Sequence, residues 1–108
     1  MANAIPLYVT IDHQMIEAWA RRRNARPSTL IGKARPWPLL FDFGPPDIGV
    51  REIGWEQFFI EFERANLAFV YRDAGGNGEL DDLYEFVNRA AVPGLALTSK
   101  STIVADVV

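Results

Sequence analysis

The stretch Gly54-Trp55-Glu56-Gln57-Phe58-Phe59-Ile60-Glu61-Phe62-Glu63-Arg64-Ala65-Asn66-Leu67-Ala68-Phe69-Val70-Tyr71-Arg72 decides the fold. Trp55, Phe58, Phe59 and Phe62 recur at i, i+3, i+4 and i+7, with Glu56, Gln57, Glu61 and Glu63 mostly opposite. That is the 3.6-residue period of an amphipathic helix. Each ring can bury on the order of 150–250 Å2, so the stripe is the expected anchor of the core, with Phe59 the side chain whose truncation harms folding first. Asn66 tolerates the left-handed conformation and can stop the helix. Leu67, Phe69 and Tyr71 then alternate with Ala68 and Val70, the period of two of a half-buried strand.

Toward the N-terminus, Asp12 suits a helix N-cap, and Ile11 and Ile16 have the spacing of a hydrophobic staple. Met15, Ile16, Trp19 and Ala20 form one apolar stripe, and Arg21, Arg22 and Arg23 crowd the last turn, where the helix dipole favours cations. Asn24 is a left-handed stop. Pro27 bars helical continuation, and Ser28–Lys33 reads as a strand that Gly32 weakens. Arg35-Pro36-Trp37-Pro38 is a stiff connector. Leu39–Phe43 alternates as a strand, and Gly44-Pro45-Pro46-Asp47 ends it.

Toward the C-terminus, Asp73–Gly78 is a turn by composition. Leu80, Leu83, Tyr84 and Val87 fit a helix, whereas Tyr84, Phe86 and Asn88 fit a strand; a strand over Tyr84–Arg89 is preferred. Val92-Pro93-Gly94 breaks the chain. Residues 1–90 are expected to form one domain, and residues 91–108 a β-prone tail that is a final strand, a swapped arm or disordered. The expected class is α+β: a small antiparallel sheet packed on one face by two amphipathic helices, in the order α-β-β-α-β-β.

Composition bounds the function. The 108 residues are 49% hydrophobic and 23% charged, ordinary values for a globular domain. The absence of cysteine removes disulfides, thiolate metal sites and thiol nucleophiles together. Met1–Thr10 resembles neither a secretory signal nor a membrane span, so a cytoplasmic protein without membrane contact is expected. The net charge of −3 disfavours nucleic acid as a partner. Charge is uneven along the chain: residues 1–38 carry six basic and two acidic side chains, residues 39–108 five and twelve. Such a dipolar chain can steer a charged partner toward one end, or simply present two solvated faces.

No complete catalytic or metal-binding constellation stands out. His13 is the only histidine, and its place in the first helical turn beside Asp12 reads as a surface cap contact. The segment from Asp73 to Tyr84 resembles a calcium loop, but Gly75 and Tyr84 stand where two ligands are required, and a Gly-Asn-Gly turn accounts for it. No phosphate-loop or dinucleotide motif occurs, and Asp42, Asp47, Glu52 and Glu56 read as solvated charge. Neither a catalytic residue nor a metal or cofactor is assigned. The candidate binding residues are Arg21, Arg22, Arg26, Arg35 and Trp37, a basic-plus-aromatic grouping that suits an anionic ligand. The charge of a helix C-terminus explains the arginines without a ligand, and Trp37 serves equally as a protein contact or as a cover on the core edge.

Asp12-His13, Ile16, Trp19-Ala20, Arg26-Pro27, Leu39–Phe43, the Trp-x-x-Phe-Phe-x-x-Phe-Glu run, Leu67-Ala68 with Tyr71, and Tyr84, Phe86-Val87 and Arg89 together carry a family likeness. On these residues the chain resembles, over about positions 12–89, a group of small uncharacterised bacterial proteins often labelled 1,4-α-glucan branching enzyme. The resemblance implies a fold, including a strand after the turn, and supplies no catalytic residue. A branching enzyme resembles a large catalytic barrel, which 108 residues are too few to build. The expected function is therefore a small non-catalytic protein-binding or regulatory module, using the basic end near Arg21–Trp37 or the acidic end near Asp73–Glu85. A homodimer through the tail is a further expectation. A binder of nucleic acid or another anion, and a small enzyme or carbohydrate-related protein, are the alternatives.

Overall fold

The computed structural model describes residues 7–32, 38–45, 48–72, 82–92 and 102–105. The elements run β1 (Leu7–Thr10), α1 (His13–Arg22), β2 (Arg26–Leu30), β3 (Leu39–Asp42), β4 (Val50–Glu52), α2 (Trp55–Arg64), β5 (Leu67–Tyr71), β6 (Tyr84–Asn88), a 3-10 turn (Arg89–Ala91) and β7 (Thr102–Ala105). The protein is α+β, with the expected helices and strands in their expected order. Strands β1, β4 and β7 join them, and the strands divide into two antiparallel sheets, β6-β5-β1-β7 and β3-β2-β4. Helix α2 touches β2 and β3 of one sheet and β5 of the other.

Local chemistry fixes the helix ends. The Asp12 carboxylate accepts from the backbone N–H of Gln14 at 3.0 Å, satisfying one of the orphan donors at the start of α1. At its other end Asn24 takes φ 55°, and the N–H groups of Asn24 and Ala25 donate to the carbonyls of Arg21 and Ala20. This is a Schellman closure, with asparagine in the place glycine usually takes. Asn66, at φ 56°, ends α2 in the same left-handed conformation, its N–H donating to the Glu63 carbonyl, and delivers the chain straight into β5. Strand β2 begins two residues before Ser28, at Arg26, and ends at Leu30 instead of Lys33, because Gly32, at φ 67°, turns the chain. Pro27 is accommodated near the start of that strand, where its carbonyl still accepts from Ile53.

The core is aromatic and Phe41 is its centre. From β3 its ring lies 5.7 Å from Trp19 of α1, 6.0 and 5.2 Å from Trp55 and Phe58 of α2, 5.7 Å from Phe69 of β5, and 5.2 and 5.9 Å from Tyr84 and Phe86 of β6. One side chain thus joins both sheets and both helices. The Phe41 backbone N–H donates to the Tyr84 hydroxyl at 3.0 Å, adding a polar tie between the sheets. Burial pushes the Tyr84 phenol above its ordinary pKa, only partly opposed by that hydrogen bond.

Three side chains depart from their expected places. Arg23, read as a last-turn surface cation, is buried: its guanidinium donates to the carbonyls of Trp19 at 3.0 Å and Arg72 at 3.2 Å and lies 4.3 Å from the Trp19 ring centre. Those bonds and the ring face replace the water a buried cation loses. Phe59 is only partly buried, whereas Phe58 and Phe62 are fully buried, so the α2 stripe is narrower than its period suggests. Met15 lies at the margin of the α1 stripe and is 41% exposed.

These positions rank the substitutions. Phe62→Ala is expected to lower the unfolding free energy by about 3–5 kcal/mol, and Phe59→Ala by clearly less. Urea unfolding at neutral pH measures both, and equal losses would contradict the assignment. Tyr84→Phe strands the Phe41 N–H without its acceptor and should cost about 1–3 kcal/mol in the same measurement; an unchanged midpoint would mean the amide finds another partner.

Candidate functional site

The sequence grouping Arg21, Arg22, Arg26, Arg35 and Trp37 is drawn apart. Arg35 and Trp37 lie outside the described residues, as does the calcium-like segment over 73–81. Arg21 and Arg22 are exposed at the end of α1, and Arg21 pairs with Glu17 one turn back at 2.6 Å. Antiparallel register places Arg26 of β2 opposite Asp42 of β3, and the guanidinium donates to that carboxylate at 2.9 Å and to the Gly44 carbonyl. The Arg26 hydrogen bond, helped by the backbone N–H of Gly44, holds the Asp42 carboxyl below its usual value. Arg21 and Arg26 do meet around a shallow cleft of about 360 Å3, with Asn24, Glu52 and Trp55. Its cations are already matched by carboxylates.

A different site is assembled where α1 begins and α2 ends. His13, the first residue of α1, lies flat on Phe59, with ring centres 4.1 Å apart and planes 8° from parallel. Phe59 in turn stacks on Trp55 at 5.5 Å, so three rings form a column along α2. The imidazole Nε2 is 2.7 Å from Oε2 of Glu63. Glu63 also receives both terminal nitrogens of Arg89, at 3.0 and 3.2 Å, a two-pronged pair. Arg89 Nε donates to the Leu67 carbonyl at 2.9 Å, and its guanidinium carbon lies 5.5 Å from the Phe62 ring centre. Burial alone pushes Glu63 upward, but the hydrogen bonds from Arg89 and His13 outweigh it and hold the carboxyl below its ordinary value.

Beside this clasp runs a shallow groove of about 740 Å3, lined by His13, Glu56, Phe59, Ile60, Glu63 and Arg64. Ile60 is 46% exposed there. The groove offers aromatic and aliphatic surface, while Glu63 in its lining is engaged within the chain. Sequence reading left His13 as a cap contact and named Glu63 and Arg89 only for the helical period and the family likeness, with no site role. Pairing β5 with β6, which aligns Leu67 with Asn88, is what brings Arg89 to the end of α2. The available signal was Phe59 and Ile60 side by side on α2, where one of two neighbours in a narrow stripe must face outward.

The carboxylates and phenols that a small enzyme would need to gather are dispersed. Asp42 is paired with Arg26, Glu52 lines the arginine cleft, Glu56 lines the groove, and the rings of Tyr71 and Tyr84 belong to the core and its edge. Among the described residues no group of three or more His, Cys, Asp or Glu side chains is placed to hold a metal ion. Nor is any helix among them long and apolar enough to cross a membrane. No family model, no curated protein and no solved structure matches the chain.

Glu63 ties acid stability to this site. Its carboxyl is depressed in the folded state, so its contribution is complete above the ordinary glutamate range and is lost as pH falls through the lowered folded-state value. Glu63→Gln should therefore melt below the wild type at neutral pH, and the two curves should converge on acidification. A gap in melting temperature that stays constant down to strongly acidic pH would show that the ionised carboxylate is not the source.

Proposed function

We propose that the chain is a non-catalytic protein-binding module, and that its partner lays apolar side chains into the groove of α2 formed by His13, Phe59 and Ile60. The observation that carries this reading is the combination of exposed apolar surface with engaged polar groups. Ile60 is exposed and Phe59 half-buried, while Glu63 is shared between Arg89 and His13. A partner need not displace water from a free buried charge to settle there, and aromatic-plus-aliphatic patches of this kind anchor protein contacts. Glu56 and Arg64 stand on the rim with opposite signs and suit a polar border around an apolar centre.

The ionisation pattern supports a non-catalytic role. Among the described residues the carboxyls with shifted values are Asp42, held low by Arg26, and Glu63, held low by Arg89 and His13, whereas a general acid at neutral pH needs its carboxyl raised. The alternative of an anion or nucleic-acid binder loses support because Arg23 is buried in the core and Arg26 is matched by Asp42. A cytoplasmic setting accords with the reading and remains part of the proposal.

Ile60→Asp tests it, since Ile60 is exposed and the substitution puts charge into the groove without touching the core. Proteins retained by the immobilised wild-type chain from a native lysate at physiological salt should be lost with Ile60→Asp and kept with Arg22→Ala. Identical retention by all three chains would refute the groove as the binding surface, and loss only with Arg22→Ala would favour the anionic-ligand alternative.

A further inference from the structure

The groove on α2 lies between two rows of side chains. Glu56, Ile60 and Arg64 stand four residues apart on one row, Phe59 and Glu63 on the next, and His13 stacks on Phe59 beside them. Rows at this spacing are the ridges of a helix surface, and the depression between two of them receives a matching ridge from a second helix. Over the 10 residues of α2 that surface is about 15 Å long, enough for a partner helix to meet it across about two turns. The α2 backbone is spent on its own helical hydrogen bonds, so an extended peptide finds no edge to pair with along it.

The charge around the groove is unequal once its internal pairs are set aside. Glu63 is held by Arg89 and His13. Arg64 donates to Glu61 at 3.2 Å, and Glu61 also accepts from Gln57 at 2.9 Å. Glu56 is exposed in the first turn of α2 and meets no cation among the described residues. The helix dipole favours an acid at that position but leaves its oxygens facing water. One uncommitted negative charge therefore stands on the rim, a turn away from the exposed Ile60. Resting on the reading of this groove as the binding surface, we infer that its occupant is an amphipathic helix of a partner protein, with apolar side chains at helical spacing over Phe59 and Ile60 and a lysine or arginine beside them set against Glu56. The apolar stripe supplies most of the affinity, and the basic residue fixes the register in which the partner helix lies.

Selection of a phage-displayed library of random peptides of about 18 residues, long enough to form a helix, on the immobilised chain tests this. Enriched sequences should carry apolar residues at helical spacing with an adjoining lysine or arginine, and Ile60→Asp should abolish their binding. In fluorescence anisotropy at low salt, Glu56→Gln should weaken an enriched peptide about two- to fivefold, the range of an exposed charge pair, and the loss should shrink at high salt. Selection on Glu56→Lys should enrich acidic residues in place of basic ones. Glu85→Gln, which removes an equal charge from β6, should leave binding unchanged. Peptides that are lost with Ile60→Asp but show no helical period, no basic preference or equal binding to Glu56→Gln overturn the inference and leave the groove standing. Failure to enrich any peptide sensitive to Ile60→Asp removes the groove and this inference together.

Discussion

The fold depends on one side chain being surrounded. Phe41 is the point at which two sheets with no shared strand ladder meet two helices, and its six aromatic neighbours are drawn from α1, α2, β5 and β6. Offset and edge-on ring contacts are directional as well as apolar, so this cluster sets the orientation of the elements in addition to burying their surfaces. The hydrogen bond from Phe41 to Tyr84 acts at the same place. Arg23, packed over Trp19 and bonded to two carbonyls, closes the α1 side of the cluster.

Much of this was legible in order. Periodicity located both helices, the asparagines at 24 and 66 marked their ends, and alternation found β3 and β5, while for β6 the pattern fitted helix and strand alike and the family likeness favoured the strand. The strands that escaped notice are short or charged: Val50–Glu52 has three residues, and Leu7–Thr10 acquires its meaning only from partners distant in the chain. No local pattern announces that the four residues Leu7–Thr10 will be an inner strand when their partners are separated by long stretches. For the same reason the split into two sheets could not be read, because registers such as Arg26 opposite Asp42 and Leu67 opposite Asn88 are tertiary facts. Phe59 was assigned to the core because a helical stripe gives spacing without width.

The candidate site was the least legible part. A run of arginines attracts attention as a unit, yet helical geometry turns successive residues through about 100°, so Arg21, Arg22 and Arg23 face different surroundings. One of them is matched to Glu17 and another is buried. Conversely, His13, Glu63 and Arg89 are scattered in sequence and converge only when α1, α2 and the end of β6 are placed together. Neutralised charge and open apolar surface then coexist on α2, which is the combination on which the proposed binding role rests.

Among the described residues the two sheets are joined by packed rings and the Phe41–Tyr84 hydrogen bond rather than by a strand ladder, and this has a consequence for the way the molecule breathes. Within either sheet, separating a strand breaks backbone ladders, whereas parting one sheet from the other needs the ring cluster to loosen and the single Phe41–Tyr84 hydrogen bond to open. The three-stranded unit β3-β2-β4 can therefore swing away as a cooperative piece while β6-β5-β1-β7 keeps its ladder, so that backbone amides in the two units would exchange with solvent through openings of different free energy.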